Sequence, residues 1–166
     1  MSPRQSSHLA AGTPALRDRI LAAAEQLLDE AGPAGLSMRE VARRIGATHQ
    51  APYHHFPDRE SILAELVTRG FQDMGARLAR ANESLSDGAP VASAIASGEA
   101  HVGYALEHPG LFRVMFRPDL CDASRFPLAW QAGDNAFRQL VRLVASLHAT
   151  GGTDALSHVY WAQVHG

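Results

Sequence analysis

Apolar residues recur at helical spacing along almost the whole chain, and this pattern restricts the fold more than any other feature. Between 15 and 31, for example, the apolar positions include Ile20, Ala24, Leu27 and Leu28. Intervals of three and four residues place such side chains on one face of an α-helix. A sustained two-residue alternation, which would predict a β-strand, is absent from the sequence. The chain is therefore predicted to be all-α.

Glycine, proline and capping residues divide this pattern into successive helices. Thr13 with Pro14 predicts the first helix start, Ser37 begins an S-x-x-E capping box, and Asp58 is a favourable N-cap. The predicted helical segments are 15–31, 37–45, 48–55, 58–86, 90–107, 111–116, 137–147 and a last one from 153 onward. The final segment reaches Gly166 without a stop signal. We therefore expect the natural polypeptide to continue into another helix.

Composition excludes several classes of protein. The chain has 166 residues, a net charge of −2 and one cysteine, Cys121, so an internal disulfide framework and a thiolate metal cluster are excluded. A lone cysteine also fits a reducing compartment. The sequence has no apolar run of bilayer-spanning length and no signal-peptide core. We expect a cytoplasmic protein with no membrane partner.

The segment 38–56 has the pattern of a helix-turn-helix, in which a glycine separates two short helices. Gly46 provides the turn, and the second helix would offer hydrogen-bonding side chains to a major groove. Small helical domains that bind no DNA also contain short helices separated by glycine, so this pattern leaves both interpretations open. Pro52 disfavours a regular α-helix about one turn after Thr48, whereas a 3₁₀-like turn would accommodate it.

Segment 36–63 reads LSMREVARRIGATHQAPYHHFPDRESIL and strongly resembles the DNA-binding domain of the tetracycline-repressor (TetR) family. The resemblance covers roughly residues 15–70, with Arg59 replacing the more usual lysine and Pro52 replacing an aliphatic residue. It implies that His49 and Gln50 read bases. It implies phosphate or groove contacts from Ser37, Met38, Arg39, Thr48, Tyr53, His54 and Arg59.

The polar composition of residues 1–13 predicts a flexible N-terminal arm. The resemblance implies a helix-turn-helix domain at 14–57 and a helical ligand-binding and dimerisation domain at 58–166, which we expect to lack a final helix. The ending WAQVHG resembles a branch with a Trp, His, Gly signature, in which a ninth helix follows. Apolar and aromatic residues could line an effector pocket, although such residues at helical spacing also form ordinary cores. The candidate pocket residues are His101, Tyr104, Leu111, Phe112, Met115, Phe116, Trp130, Phe137 and Trp161.

Catalytic and metal-binding motifs are absent from the sequence. It contains no G-x-S-x-G motif, phosphate-binding loop or H-E-x-x-H motif. Acidic neighbours of Cys121 should raise the pKa of its thiol and make a reactive cysteine unfavourable. We therefore expect a homodimeric, effector-responsive repressor without cofactor or enzymatic activity. The alternatives are a helical small-molecule-binding protein without useful DNA affinity and, less favoured, an enzyme that uses the histidine-rich C-terminal half.

Overall fold

The computed structural model describes residues 15–83, 88–122, 124–148 and 153–165. Within these ranges the secondary structure is helical and no β-strand occurs, which confirms the predicted all-α class. The α-helices are α1 (Leu16–Gly35), α2 (Met38–Arg44), α3 (Arg59–Ala81), α4 (Pro90–Glu107), α5 (Pro109–Met115), α6 (Pro127–Leu147) and α7 (Thr153–His165). Short 3₁₀-helices cover Ala51–His54 and Pro118–Leu120.

One predicted helix boundary agrees with the structure and another was wrong. As predicted, the first regular stretch of α1 ends at Gly32, whose φ of 64° is not helical, and Pro33 then begins one further helical turn. Helix α6 begins at Pro127 rather than near Phe137, with proline in its first turn. The N-cap predicted at Thr13 lies outside the described residues.

Helix α3 is the central element of the fold. It contacts α6 most extensively and also packs on α1, α4 and α5. Its approach to α6 is close because Gly75 lies opposite Ala136, where an added methyl group would sit 3.5 Å from the Ala136 Cα atom. Its buried residues, from Ile62 to Leu78, belong to one hydrophobic cluster that also includes residues of α1, α2, α5 and α6. The N-terminal helices therefore share a continuous core with the rest of the protein.

A second close junction connects α5 to α1. Gly110 lies directly against the α1 backbone, and its N–H donates to the Asp29 carboxylate at 2.7 Å. One turn along α1, Glu25 Oε1 lies 2.6 Å from His108 Nδ1. These contacts hold the start of α5 against the middle and C-terminal part of α1.

None of the helices in the described ranges is long and apolar enough to cross a membrane.

Candidate functional site

The first half of the candidate DNA-binding motif is helix α2. The Ser37 hydroxyl accepts a hydrogen bond from the Glu40 N–H at 3.2 Å, which is the first of the two bonds of the predicted capping box. The Glu40 carboxylate binds the Arg43 guanidinium instead of closing the box. After α2, Gly46 adopts a φ of 65°, which glycine reaches without steric cost. The Ala47 N–H donates to the Ala42 carbonyl oxygen at 3.0 Å and closes the turn. The sequence thus directs the chain sharply away from α2 at the predicted position.

The second half of the motif is a 3₁₀-helix, Ala51–His54, and not the helix predicted for 48–55. Pro52 has no N–H to donate, so a regular α-helix through this position would lose a hydrogen bond. The Pro52 side chain is fully buried, and its carbonyl oxygen accepts from both the His55 and Phe56 N–H groups. With Phe56 also buried, two core side chains anchor the segment and fix which face it presents to solvent.

Five of the residues predicted to contact DNA lie in or just before this 3₁₀-helix. The side chains of Thr48, His49, Gln50, Tyr53 and His54 are all exposed. The His49 and Tyr53 rings contact each other, with centroids 5.9 Å apart. The arrangement offers amide, imidazole, hydroxyl and phenol groups from one short segment, which suits recognition of base edges and phosphates.

Two predicted contacts need correction. The Met38 side chain is only 7% exposed and packs in the core, so its backbone N–H, and not its side chain, is available at the start of α2. The Arg59 guanidinium donates from Nη2 to the Pro33 carbonyl oxygen at 2.6 Å, and its Nε is buried. Arg59 therefore ties the start of α3 to the end of α1, which the sequence motif alone did not reveal.

Ion pairs neutralise much of the positive charge near the motif. The Arg44 guanidinium binds the Glu30 carboxylate at 2.8 and 2.6 Å, and Arg43 pairs with Glu40. Hydrogen bonds from these arginines lower the pKa of both glutamates. Arg39 is exposed and forms no ion pair within the described ranges. Among these arginines, Arg39 is the one whose charge is already available to a phosphate.

A cavity of about 550 Å³ lies between α3, α5, α6 and α7. Five of the predicted pocket residues line it: Met115, Phe116, Trp130, Phe137 and Trp161. The structure adds lining residues that the sequence analysis did not select, among them Val67, Phe71, Arg117, Cys121, Asp134 and His158. Val67 and Phe71 have the helical spacing of core residues, and the polar lining residues belong to no motif, so the sequence held no signal that marks either group as lining a cavity.

The other four predicted pocket residues lie outside this cavity. The side chains of Tyr104 and Leu111 are buried in the core beside Gly70, and burial raises the pKa of the Tyr104 phenol. His101 packs edge-on against Phe112, with ring centroids 5.3 Å apart, and burial lowers the pKa of this histidine. Tyr104 and Leu111 instead line a second cavity of about 260 Å³, between α1, α3, α4 and α5. A role of these four residues in ligand binding stays a prediction.

Metal binding and thiol chemistry find little support in the described part of the chain. No group of three or more histidine, cysteine or acidic side chains in those ranges could hold a metal ion. Burial raises the pKa of the Cys121 thiol, and Glu60 and Asp122 raise it further. The predicted direction of this shift is confirmed, although burial has the largest effect.

Comparison with protein families matches both halves of the chain. Residues 20–66 match the family described as bacterial regulatory proteins, tetR family. Residues 94–166 match the tetracyclin repressor-like C-terminal domain. The chain belongs to the TetR family. The predicted family is therefore confirmed, and the family consists of transcriptional regulators and not of enzymes. The Trp, His, Gly branch stays a prediction.

Individual TetR relatives agree with this assignment. An HTH-type transcriptional regulator of Mycobacterium tuberculosis is 30% identical over 91 residues, which are 55% of this chain and 38% of that protein. The regulator YobS of Bacillus subtilis is 25% identical over 93 residues, or 56% of this chain and 47% of YobS. The matches thus span less than half of these relatives.

Solved structures share the fold over most of the chain. A protein of unknown function from Rhodococcus sp. RHA1 has a TM-score of 0.75 and 32% identity, covering 98% of this chain and 84% of that one. The TetR-family regulator PfmR of Thermus thermophilus has a TM-score of 0.72 at 22% identity, covering 86% of this chain and 80% of PfmR. The second likeness concerns the fold alone.

Proposed function

We propose that this TetR-family chain is a cytoplasmic transcriptional repressor that binds an inverted-repeat DNA operator as a homodimer. A small apolar or amphipathic effector in the cavity would release it from DNA. The observation that carries the proposal is the exposed set of side chains between Thr48 and His54, a segment that is anchored by Pro52 and packs on α2. A helix-turn-helix dimer places two such segments in successive major grooves, about one turn of DNA apart.

Each exposed group has a matching chemical partner on DNA. The Gln50 amide can bind adenine through two hydrogen bonds, and the Thr48 methyl group can contact a thymine methyl. His49 would read a neighbouring base edge. Arg39, Tyr53 and His54 would contact phosphates, as would the Ser37 hydroxyl. The contacts of Gln50 and Thr48 with base edges would determine the sequence preference. The phosphate contacts would determine the position of the protein on the DNA and its overall affinity.

The cavity supports the effector-dependent part of the proposal. Its volume of about 550 Å³ falls within the range of small-molecule sites. Helix α3 lines it through Val67 and Phe71 and begins at Arg59, shortly after the segment 48–54 that would read the DNA. An effector releases DNA only if it binds the DNA-free arrangement more tightly than the DNA-bound one. Helix α3 is the element through which the two sites would be coupled.

Selection of bound duplexes from a random pool, at two salt concentrations, tests the DNA-binding part. We expect an enriched inverted repeat and affinity that falls steeply with salt, because phosphate neutralisation releases counterions. On the selected site, Gln50→Ala should cost about 1–3 kcal/mol, with little effect on unrelated duplexes. Arg39→Ala should weaken binding to all duplexes and reduce the salt slope by about one.

Arg80→Ala is the matched control for Arg39→Ala. It removes the same charge from an exposed position at the far end of α3, about 30 Å along the helix from its start, so DNA binding should not change. Salt-independent binding without enrichment would contradict the proposal and favour a small-molecule-binding protein without DNA affinity. The ion pairs of Arg43 and Arg44 are the observation that favours that alternative. Sedimentation of the same sample tests the dimer.

A further inference from the structure

We infer that Arg125 is a positioning residue for DNA binding, which connects the wall of the cavity to the start of α3. This inference rests on the proposed effector function of the cavity and specifies a route by which the cavity would reach segment 48–54. The connecting part of the chain is the strap, which we define as residues 117–122 and 124–126. The strap lies between α5 and α6 in the sequence.

The first end of the strap forms part of the cavity wall. Arg117, Pro118 and Cys121 line the cavity, and the Cys121 side chain is buried. Leu120 packs against the hydrophobic core. A ligand that presses on this wall would therefore move the strap.

The other end of the strap is bound to the first turn of α3. Arg125 Nη2 donates to the Asp58 carboxylate at 2.8 Å, and Arg125 Nη1 binds the Glu60 carboxylate. The Asp122 N–H donates to the second Glu60 oxygen at 3.4 Å. The Arg125 guanidinium carbon also lies 4.9 Å from the centroid of the Phe126 ring, which packs against the core. Two carboxylates of one helical turn thus share a single guanidinium.

Hydrogen bonds tie the two ends of the strap together. The Asp122 carbonyl oxygen accepts from the N–H groups of Arg125 and Phe126, at 3.2 and 3.0 Å. The Asp122 carboxylate accepts from the Ser124 N–H at 2.8 Å. Cys121, which lines the cavity, directly precedes Asp122. A shift of Cys121 would therefore reach Arg125 through these bonds.

The start of α3 is the place where such a shift would reach the DNA-binding motif. Asp58 is the N-cap of α3 and follows Phe56, a buried anchor of segment 48–54, by two residues. The next residue, Arg59, binds the Pro33 carbonyl oxygen near the end of α1. A displaced strap would pull on this junction and change how segment 48–54 is presented to DNA.

The reaction of Cys121 with methyl methanethiosulfonate reports opening of the strap, because the closed strap buries this thiol. Coupling between two sites is reciprocal, so saturating selected operator should slow the reaction of the wild type. We expect protection of about fivefold, which is what two partly exposed ion pairs of ordinary strength can give. In Arg125→Met the reaction should be faster, and bound operator should no longer slow it.

Two variants separate this role from general stabilisation. Arg125→Lys keeps the positive charge and should keep most of the protection. Arg113→Met removes the same charge from an exposed position on α5 and should behave as the wild type does. If Arg125 only stabilised the fold, Arg125→Met would react faster through global unfolding. Bound operator would still slow that reaction, since a ligand of the folded state opposes unfolding.

A label on the only cysteine of the chain, Cys121, tests the cavity end of the strap. A benzylthio group attached there through a disulfide should lower the operator affinity of the wild type about fivefold, the same coupling measured from the other side. A thiol reductant should restore the affinity. In Arg125→Met the label should leave the operator affinity unchanged.

Operator protection that persists in Arg125→Met, or is absent from the operator-bound wild type, would overturn the inference. A label that lowers the operator affinity equally in both proteins would do the same. These outcomes, obtained with an operator that binds, refute the role of Arg125 alone. Failure to select any operator would refute the proposed repressor and this inference with it.

Discussion

The junction between α1 and α5 should not tolerate a side chain at Gly110. A methyl group added to Gly110 would lie 2.5 Å from the Leu28 carbonyl oxygen and closer still to the Leu28 carbonyl carbon and the Asp29 nitrogen. All three atoms belong to the backbone of α1, so no side-chain rotation can make room. In Gly110→Ala, α5 would have to move away from α1 as a unit.

The expected loss of stability combines two contributions. Overpacking a well-packed contact costs about 1–3 kcal/mol. Moving α5 also lengthens the hydrogen bond from the Gly110 N–H to the Asp29 carboxylate, now 2.7 Å, and a bond to a charged acceptor is worth about 1.5–3 kcal/mol. Part of the second contribution survives a small shift, so we expect a net loss of about 2–4 kcal/mol in the free energy of unfolding. For a chain of this size the melting temperature should fall by about 10 °C.

Urea denaturation followed by circular dichroism measures this change. The control is Gly98→Ala in α4, where an added methyl group meets no atom within 4 Å. Alanine is the better helix former, so this variant should gain about 0.5–1 kcal/mol. The same substitution in two helices is thus expected to have opposite signs. A Gly110→Ala protein within about 0.5 kcal/mol of the wild type, which is the range of ordinary surface substitutions, would refute the reasoning about backbone contact.

Two further predictions concern titratable groups. The pKa of Asp58 is lowered from 3.8 to about 2 by hydrogen bonds from the Ser61 hydroxyl, then from Arg125 and the Ser61 N–H. The ionised Asp58 carboxylate therefore stabilises the fold fully above pH 3.8, and this stabilisation is lost as the pH falls through about 2. Asp58→Ala should therefore cost about 1 kcal/mol near neutral pH, and the difference from wild type in acid denaturation should shrink between pH 4 and 2; a constant difference would contradict this. The Cys121 thiol is 5% exposed with a raised pKa, so a disulfide reagent at pH 8 should modify it far more slowly than free cysteine. If the thiol of the folded protein reacted as fast as that of the protein unfolded in urea, Cys121 would be accessible and this reasoning would be wrong.

Local signals in the sequence predicted the helix starts and the turn in the N-terminal half of the fold. The caps at Ser37 and Asp58 and the turn at Gly46 act through neighbouring residues, so each could be predicted from a short segment. Pro52 indicated that a 3₁₀ turn was possible, but the choice between 3₁₀ and α depends on burial of its ring against the core. Arg59 shows the same limit, since its partner at Pro33 lies 26 residues earlier in the chain.

The C-terminal half was less predictable because its decisive contacts are between distant segments. The start of α6 was missed since the face that packs inward there consists of Ala129, Ala132 and Ala136, which are too small to give a clear apolar stripe. Tyr104 and Trp161 are both aromatic residues at helical spacing, yet one is core and the other lines the cavity. Only the relative placement of α3 to α7 separates these outcomes.

The anchoring of segment 48–56 by Pro52 and Phe56 has a consequence for the evolution of this protein. The residues that fix the shape of the segment point inward, while Thr48, His49 and Gln50 point outward and are exposed. Surface substitutions away from structural features usually alter stability by less than about 0.5 kcal/mol. Under the proposed base contacts, mutation at these three positions would therefore change the operator preference without endangering the fold, and a duplicated copy would acquire a different operator.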